Sequence, residues 1–229
     1  MNLPRTLFWS GLALLAALWL GSVGSAFSNG GLGAADEHET SGGAGDAVRD
    51  LAPFEKIVDR GSVDVEVSVG SEQRVEVVAD DDQASRVETW VDDGTLYISN
   101  RDSLWTHGGL KVKVVVPQLE ALTLAGSGDG SVEGLDARNL EIRTEGSGDV
   151  TASGRAARLT YSGAGSGDAD LSDLEAAEAT VRLHGSGDAR VNVTGALDVE
   201  TFGSGDVSYS GKPSHISQST HGSGDVSAD

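Results

Sequence analysis

The sequence contains no cysteine among its 229 residues. Disulfide staples and cysteine-anchored lipidation are therefore excluded, and the fold must hold by burial and backbone hydrogen bonding. Positive charge is also scarce, with 16 Lys and Arg against 36 Asp and Glu, a net charge of −20 and a pI near 4.4. That balance opposes nucleic-acid binding, which needs clustered cations against phosphate. It opposes adsorption to anionic lipid as well, while permitting cation binding and solubility. Aromatic residues are few, at 5%. No Gly-Lys-Ser/Thr follows the glycine-rich segments, so they are not phosphate loops. What is abundant is glycine, 32 of 229 residues. Glycine at this level is compatible with disorder, yet Val, Leu, Ile and Ala alternate through the second half, which favours strands. The length suffices for one domain with a real core.

Residues 1–26 read as a secretory signal peptide. Arg5 supplies a positive start, Leu7–Leu20 is an apolar run of 14 residues, and Gly24 and Ala26 are small residues placed for cleavage after Ala26. The run is short for a membrane span of roughly 20 residues, and an uncleaved anchor is the rival reading. No transmembrane span is expected after cleavage. Residues 27–52 form an acidic Gly/Ser-rich stretch, expected to be a flexible linker. His38, between Glu37 and Glu39, reads as a solvated side chain there.

From Phe54 the pattern changes. Val63, Val65, Val67 and Val69 alternate with Asp64, Glu66 and Ser68, the period of a half-buried strand. Val75 and Val77 continue it. Asp92-Asp93-Gly94 is a turn signal before Leu96-Tyr97-Ile98. Val112, Val114 and Val116 alternate again until Pro117. Asp80-Asp81-Asp82 reads as a loop or helix start, with solvated charge favoured over a divalent-ion site.

A repeat decides the fold class. Gly-Ser-Gly-Asp occurs six times, starting at Gly126, Gly146, Gly165, Gly185, Gly203 and Gly222, at spacings of 20, 19, 20, 18 and 19. A period near 19 residues marks a solenoid unit. Counting from the first glycine, position −6 holds Leu140, Leu159, Ala179, Leu197 and Ile216. Position −4 holds Leu122, Ile142, Tyr161, Val181, Val199 and Gln218. One residue after each Asp stand Gly130, Val150, Ala169, Ala189, Val207 and Val226. Three after it stand Val132, Ala152, Leu171, Val191, Tyr209 and Ala228. Each unit thus predicts inward-facing strands on both sides of a glycine corner, with a looser corner near Gly134, Gly154, Asp173, Gly195 and Gly211. Stacking in register gives an all-β parallel β-solenoid with coils of about 19 residues over 53–229. The corner glycines are expected to supply positive φ, and the aspartates to bond nearby backbone N–H groups.

Together, Phe54 and Ile57, the Val63–Val69 strand, Gly94-Thr95-Leu96, the Val112–Pro117 strand and the six corners resemble the putative autotransporter adhesin head GIN domain family. The resemblance implies a right-handed, single-stranded parallel β-helix in an exported bacterial protein, and suggests adhesion. It carries no established catalytic or binding residues. The sequence stops at Asp229 without a C-terminal membrane barrel, so self-secretion is not expected.

The expected function is therefore a non-catalytic, exported cell-envelope module, periplasmic or at the cell surface, of a structural or adhesive kind. Its partner is an unidentified protein or saccharide, with self-association as a further reading. No cofactor is expected. Asp129, Asp149, Asp168, Asp188, Asp206 and Asp225 should lie in a row, as turn residues or, less favoured, as ligands of Ca²⁺. Ser127, Ser147, Ser166, Ser186, Ser204 and Ser223 repeat equally, which argues against a unique nucleophile. His184 and His221 precede motifs and read as exposed; His107 and His215 carry no signal. The alternative is a calcium-dependent polysaccharide-binding or polysaccharide-lyase-like β-helix with Arg143, Arg158, Arg182 and Arg190 on its face. The short, even coils leave no room for a cleft.

Overall fold

Alternating valines build the first elements of the computed structural model, which describes residues 47–79, 81–100 and 110–229. The signal segment, most of the linker, His38, Asp80 and His107 lie outside these residues. Strand β1 is Ala47–Arg49, β2 Lys56–Asp59, β3 Asp64–Val69 and β4 Arg74–Val78. In β3, Val65 and Val67 are buried while Glu66 and Ser68 face outward. A 3-10 helix, Asp81–Arg86, leads into β5, Val87–Asp92, and β6, Thr95–Asn100. These two strands form a hairpin whose turn residues Asp93 and Gly94 have φ of 44° and 69°. Two positive φ values match the right-handed twist of the strands. Strand β7, Lys111–Val116, buries Val112, Val114 and Val116.

The flexible stretch expected through residue 52 ends earlier in the structure. Strand β1 pairs antiparallel with β4. The Arg49 guanidinium, nearly buried, donates to the carbonyls of Ala84 and Val87 at 3.1 and 3.4 Å. Composition cannot reveal such docking, because it rests on one charged side chain satisfying two distant carbonyls.

The repeats then stack. Strand β8 is Ala121–Leu124, β9 Gly130–Gly146, β10 Val150–Gly165, β11 Ala169–Gly185, β12 Ala189–Gly203, β13 Val207–Gly211, β14 His215–Gly222 and β15 Val226–Ala228. All pair in parallel, so that Ile142, Tyr161, Val181 and Val199 share one row and Gly130, Val150, Ala169, Ala189 and Val207 another. The fold is a parallel β-solenoid, with the core as ladders of like side chains along its axis. Each coil also has an intermediate wall, supplied by Leu135, Ala156, Leu174 and Ala176, Val193 in turn. Fully burying one such Leu or Val is worth about 1.5–3 kcal/mol.

Packing inside a coil is reciprocal. The fully buried Tyr161 ring fits because its near neighbour is Gly163, where an added Cβ would lie 2.7 Å from the Tyr161 hydroxyl. That hydroxyl shares a hydrogen bond of 3.1 Å with Thr144 Oγ1.

Stack order departs from chain order. Strand β2 is flanked by β6 and β8, and β3 by β7 and β9. The β6–β7 coil, later in sequence, therefore lies outside the β2–β3 coil. Beyond it, β4 pairs antiparallel with β7, and β5 with β6. At the other end, β14 pairs β12 and β15 pairs β13. Here the expected inward positions Ile216, Gln218 and Ala228 keep the register but are exposed, since no further strand covers them among the described residues.

Candidate functional site

The six motif aspartates lie in one row, and the first five present their carboxylates to a specific partner. Asp149, Asp168, Asp188, Asp206 and Asp225 each donate a backbone N–H to Oδ1 of the preceding Asp, at 2.8–2.9 Å. Exposed like charges about 5 Å apart repel by roughly 1 kcal/mol at the dielectric of water. A hydrogen bond to a charged acceptor contributes about 1.5–3 kcal/mol, so the ladder outweighs the repulsion. Among the described residues, no group of three or more acidic or histidine side chains converges as a metal site.

The row begins one step before the repeats. Asp129 N–H donates to Asp64 Oδ1 at 3.1 Å, and Ser127 N–H to the Gly61 carbonyl at 3.3 Å. Gly61-Ser62-Val63-Asp64 is thus a seventh corner. Sequence reading missed it because Val63 replaces the second glycine and 65 residues separate Gly61 from Gly126. The signal was there: Gly, Ser and Asp keep their offsets.

Positive φ is only part of the reason for glycine. Gly165, Gly185, Gly203 and Gly222 have φ of 137–154°. Close approach is common to all six corners. A Cβ on the first glycine would lie 1.6–2.1 Å from the carbonyl oxygen of the preceding corner's first residue, and a Cβ on the second glycine 2.0–2.1 Å from that of the residue below it.

The six motif serines next to these glycines are exposed, and Ser186 and Ser204 meet each other, Oγ to Oγ at 3.5 Å. His184 and His221 do not stand alone. Phe202 lies between them in register, and the three rings stack with centroids 4.8 Å apart at each step and interplanar angles of 7° and 17°. This ladder is on the outer surface, with Phe202 37% exposed. On the same outer wall, Arg143 pairs with Glu145, Arg158 with Glu178 and Arg182 with Glu200. Arg190 is on another wall, beside Asp170 in register. Three of the four candidate arginines therefore share a face, each bound to a carboxylate.

Two features belong to the end of the stack where β4 and β5 add antiparallel strands, here called the capped end. A groove of about 660 Å³ is lined by Leu51, Pro53, Glu55, Lys56, Asp93 and Glu120, among others. Gln73 holds its wall, donating to the carbonyls of Leu51 and Ala52 and accepting from Phe54 N–H. Nearby in the core, Asp59 is fully buried; its Oδ1 accepts from Gly61 N–H at 3.1 Å, and Oδ2 has no partner. Burial raises the carboxyl pKa to about 6, against the lowering effect of the Gly61 bond, with Asp64 adding to the rise. Arg60 lies over the Tyr97 ring, itself stacked on Trp90.

A search of curated proteins finds no match to the chain. The structure is similar to that of a putative adhesin from Bacteroides fragilis, with TM-score 0.62 and 22% identity over 83% of this chain and 99% of that one. It is also similar to a putative adhesin from Parabacteroides distasonis, with TM-score 0.52 and 18% identity over 83% and 98%. A putative lipid binding protein from the same organism gives TM-score 0.51 and 22% identity over 83% and 98%. These likenesses establish a shared fold. Residues 53–213, from the Phe54 opening through the fifth corner, match the family model described as putative auto-transporter adhesin, head GIN domain. The chain belongs to that family.

Proposed function

We propose that this protein is a non-catalytic, exported adhesion module of the bacterial cell envelope, and that its contact surface is the outer wall of β9–β12 and β14. The observation that carries the proposal is the exposed His184–Phe202–His221 ladder beside paired Arg and Glu side chains on an unbroken parallel sheet. Flat sheet walls with aromatic and charge-paired groups bind by area and complementarity. The repeated Asp supports a non-catalytic reading, because its Oδ1 accepts a neighbouring amide. The Leu7–Leu20 run with Gly24 and Ala26 supports export. In this reading Asp129, Asp149, Asp168, Asp188, Asp206 and Asp225 are turn residues and no calcium is required.

The test is adhesion of beads coated with the full-length chain to immobilised cell-envelope polysaccharide and to immobilised envelope protein under flow. Retention on either surface, lost with Phe202→Ala, is the expected result. Equal retention of coated and bare beads on both surfaces overturns the proposal, as does breakdown of the polysaccharide by the protein.

A further inference from the structure

The aromatic ladder has a vacant rung. In register along the outer wall, the residues just before the corners from Gly146 onward are Glu145, Ala164, His184, Phe202 and His221. Three of them stack ring on ring at 4.8 Å. At Ala164 the side chain is a methyl group, so the face of His184 turned toward that coil has no ring against it. Glu145 and His184 lie two coils apart, about 9.6 Å at the spacing of parallel strands. One ring seated over Ala164 fills that gap.

We infer that the opening over Ala164, between His184 and Glu145, is a binding site for one pyranose ring of a neutral polysaccharide. This inference deepens the adhesive reading, on which it rests, by naming a ligand class for the same wall.

The rim selects the guest. The neighbouring outward row carries Arg143, Ser162 and Arg182 in register. Together with Glu145 they border the opening on one side with guanidinium groups, a hydroxyl and a carboxylate. A bare aromatic guest would desolvate these groups without pairing them. A pyranose offers an apolar C–H face to the imidazole and hydroxyls around its edge to the rim. Charge argues for a neutral sugar. Arg143 and Arg182 are already paired with Glu145 and Glu200, and the chain carries −20, so a polyanion meets a repulsive field. The two features come from different parts of the repeat: the ring face depends on position −1, the polar rim on position −3.

The test uses the full-length chain and hexasaccharides of β-1,4-glucan, α-1,4-glucan, β-1,4-mannan and β-1,4-galactan. The readout is the NMR signal of the His184 imidazole, assigned through His184→Ala. At about 10 mM sugar, enough to populate a weak single-ring site, at least one hexamer is expected to shift His184 and leave His215 unchanged. Ala164→Phe places a ring in the vacant rung at an exposed strand position that tolerates aromatics, and is expected to weaken binding at least about tenfold. Should that variant fail to fold, His184→Ala, whose binding is followed by isothermal titration calorimetry because it lacks the reporting imidazole, is expected to weaken binding to the same degree. The inference is overturned if no hexamer shifts His184, or if a folded Ala164→Phe or His184→Ala variant binds as the parent does. Bead adhesion run in parallel separates the two readings. Beads that adhere, while no hexamer shifts His184, keep the adhesive module and remove the sugar slot. Beads that never adhere remove the module, while the His184 signal decides the slot by itself.

Discussion

The capped end, residues 47–116, and the repeat stack, residues 121–229, bury similar rows of Val, Leu and Ile but treat the same corner differently. In the stack the third motif residue is glycine every time, because the carbonyl of the coil below sits about 2 Å from where its Cβ would be. In the capped end that position is Val63, fully buried, whose own carbonyl is the one Gly128 rests against. The glycine is therefore demanded by the preceding coil and not by the bend itself. A seventh corner turns without it.

The sharpest way to break this comparison is to exchange the two demands. Gly167→Ala puts a Cβ near 2.1 Å from the Gly148 carbonyl and should cost more than about 3 kcal/mol in chemical denaturation. Val63→Ala should cost less, about 2 kcal/mol, through lost burial alone. Equal and small losses would mean that the coils can move apart, and that close approach does not specify glycine.

Next in size is a change confined to the capped end. The Asp59 carboxyl is raised from 3.8 to about 6 in the folded protein. The folded state thus holds the proton more tightly than the unfolded chain, and stability falls as pH rises from about 4 to about 6. Asp59→Asn removes the buried charge while keeping an acceptor for Gly61 N–H. It should stabilise the protein by roughly 2–3 kcal/mol at pH 8 and by little at pH 3. The check is denaturation at the two pH values; a loss of stability at pH 8 would show that the charge has a partner.

The stack has its own, smaller test. Asp168→Ala deletes one rung of the carboxylate–amide ladder, the acceptor for Asp188 N–H, and should cost about 1–2 kcal/mol; Asp168→Asn should cost less than half of that. The smallest effect expected is that of calcium. Melting of the full-length chain followed by circular dichroism should shift by less than about 1 °C between calcium and EDTA. A clear rise with calcium would assign the row a second role in holding cations.

Sequence periodicity revealed the stack because each coil repeats the same residue types at the same offsets. The repeat alone places Leu171, Val181 and Val199 inward, and they are buried. The order of the first coils was not legible. Nothing in a linear pattern tells β6 to lie outside β2 when the contact spans some forty residues. Arg49 was hidden for a different reason, since a single arginine in a Gly/Ser-rich stretch has no periodicity to report. The outer wall was half legible. His184 and His221 stood out as histidines two coils apart, yet Phe202 belongs to the same row and was not read with them. Inward rows declare themselves by hydrophobicity, whereas an outward row has no common chemistry and appears only once the register is fixed.

The carboxylate–amide ladder also gives the molecule a direction. Each carboxylate from Asp64 to Asp206 accepts from the backbone amide of the aspartate one coil on, and no bond runs the other way between the two, so the row has one direction from Asp64 to Asp225. A unit inserted between two corners would find an acceptor waiting on one side and an amide on the other, and would lengthen the stack by about 4.8 Å without disturbing either neighbour. The solenoid is in this sense a ruler with graduations: its reach can be reset by whole coils, and a binding position on its wall moves by the same fixed step.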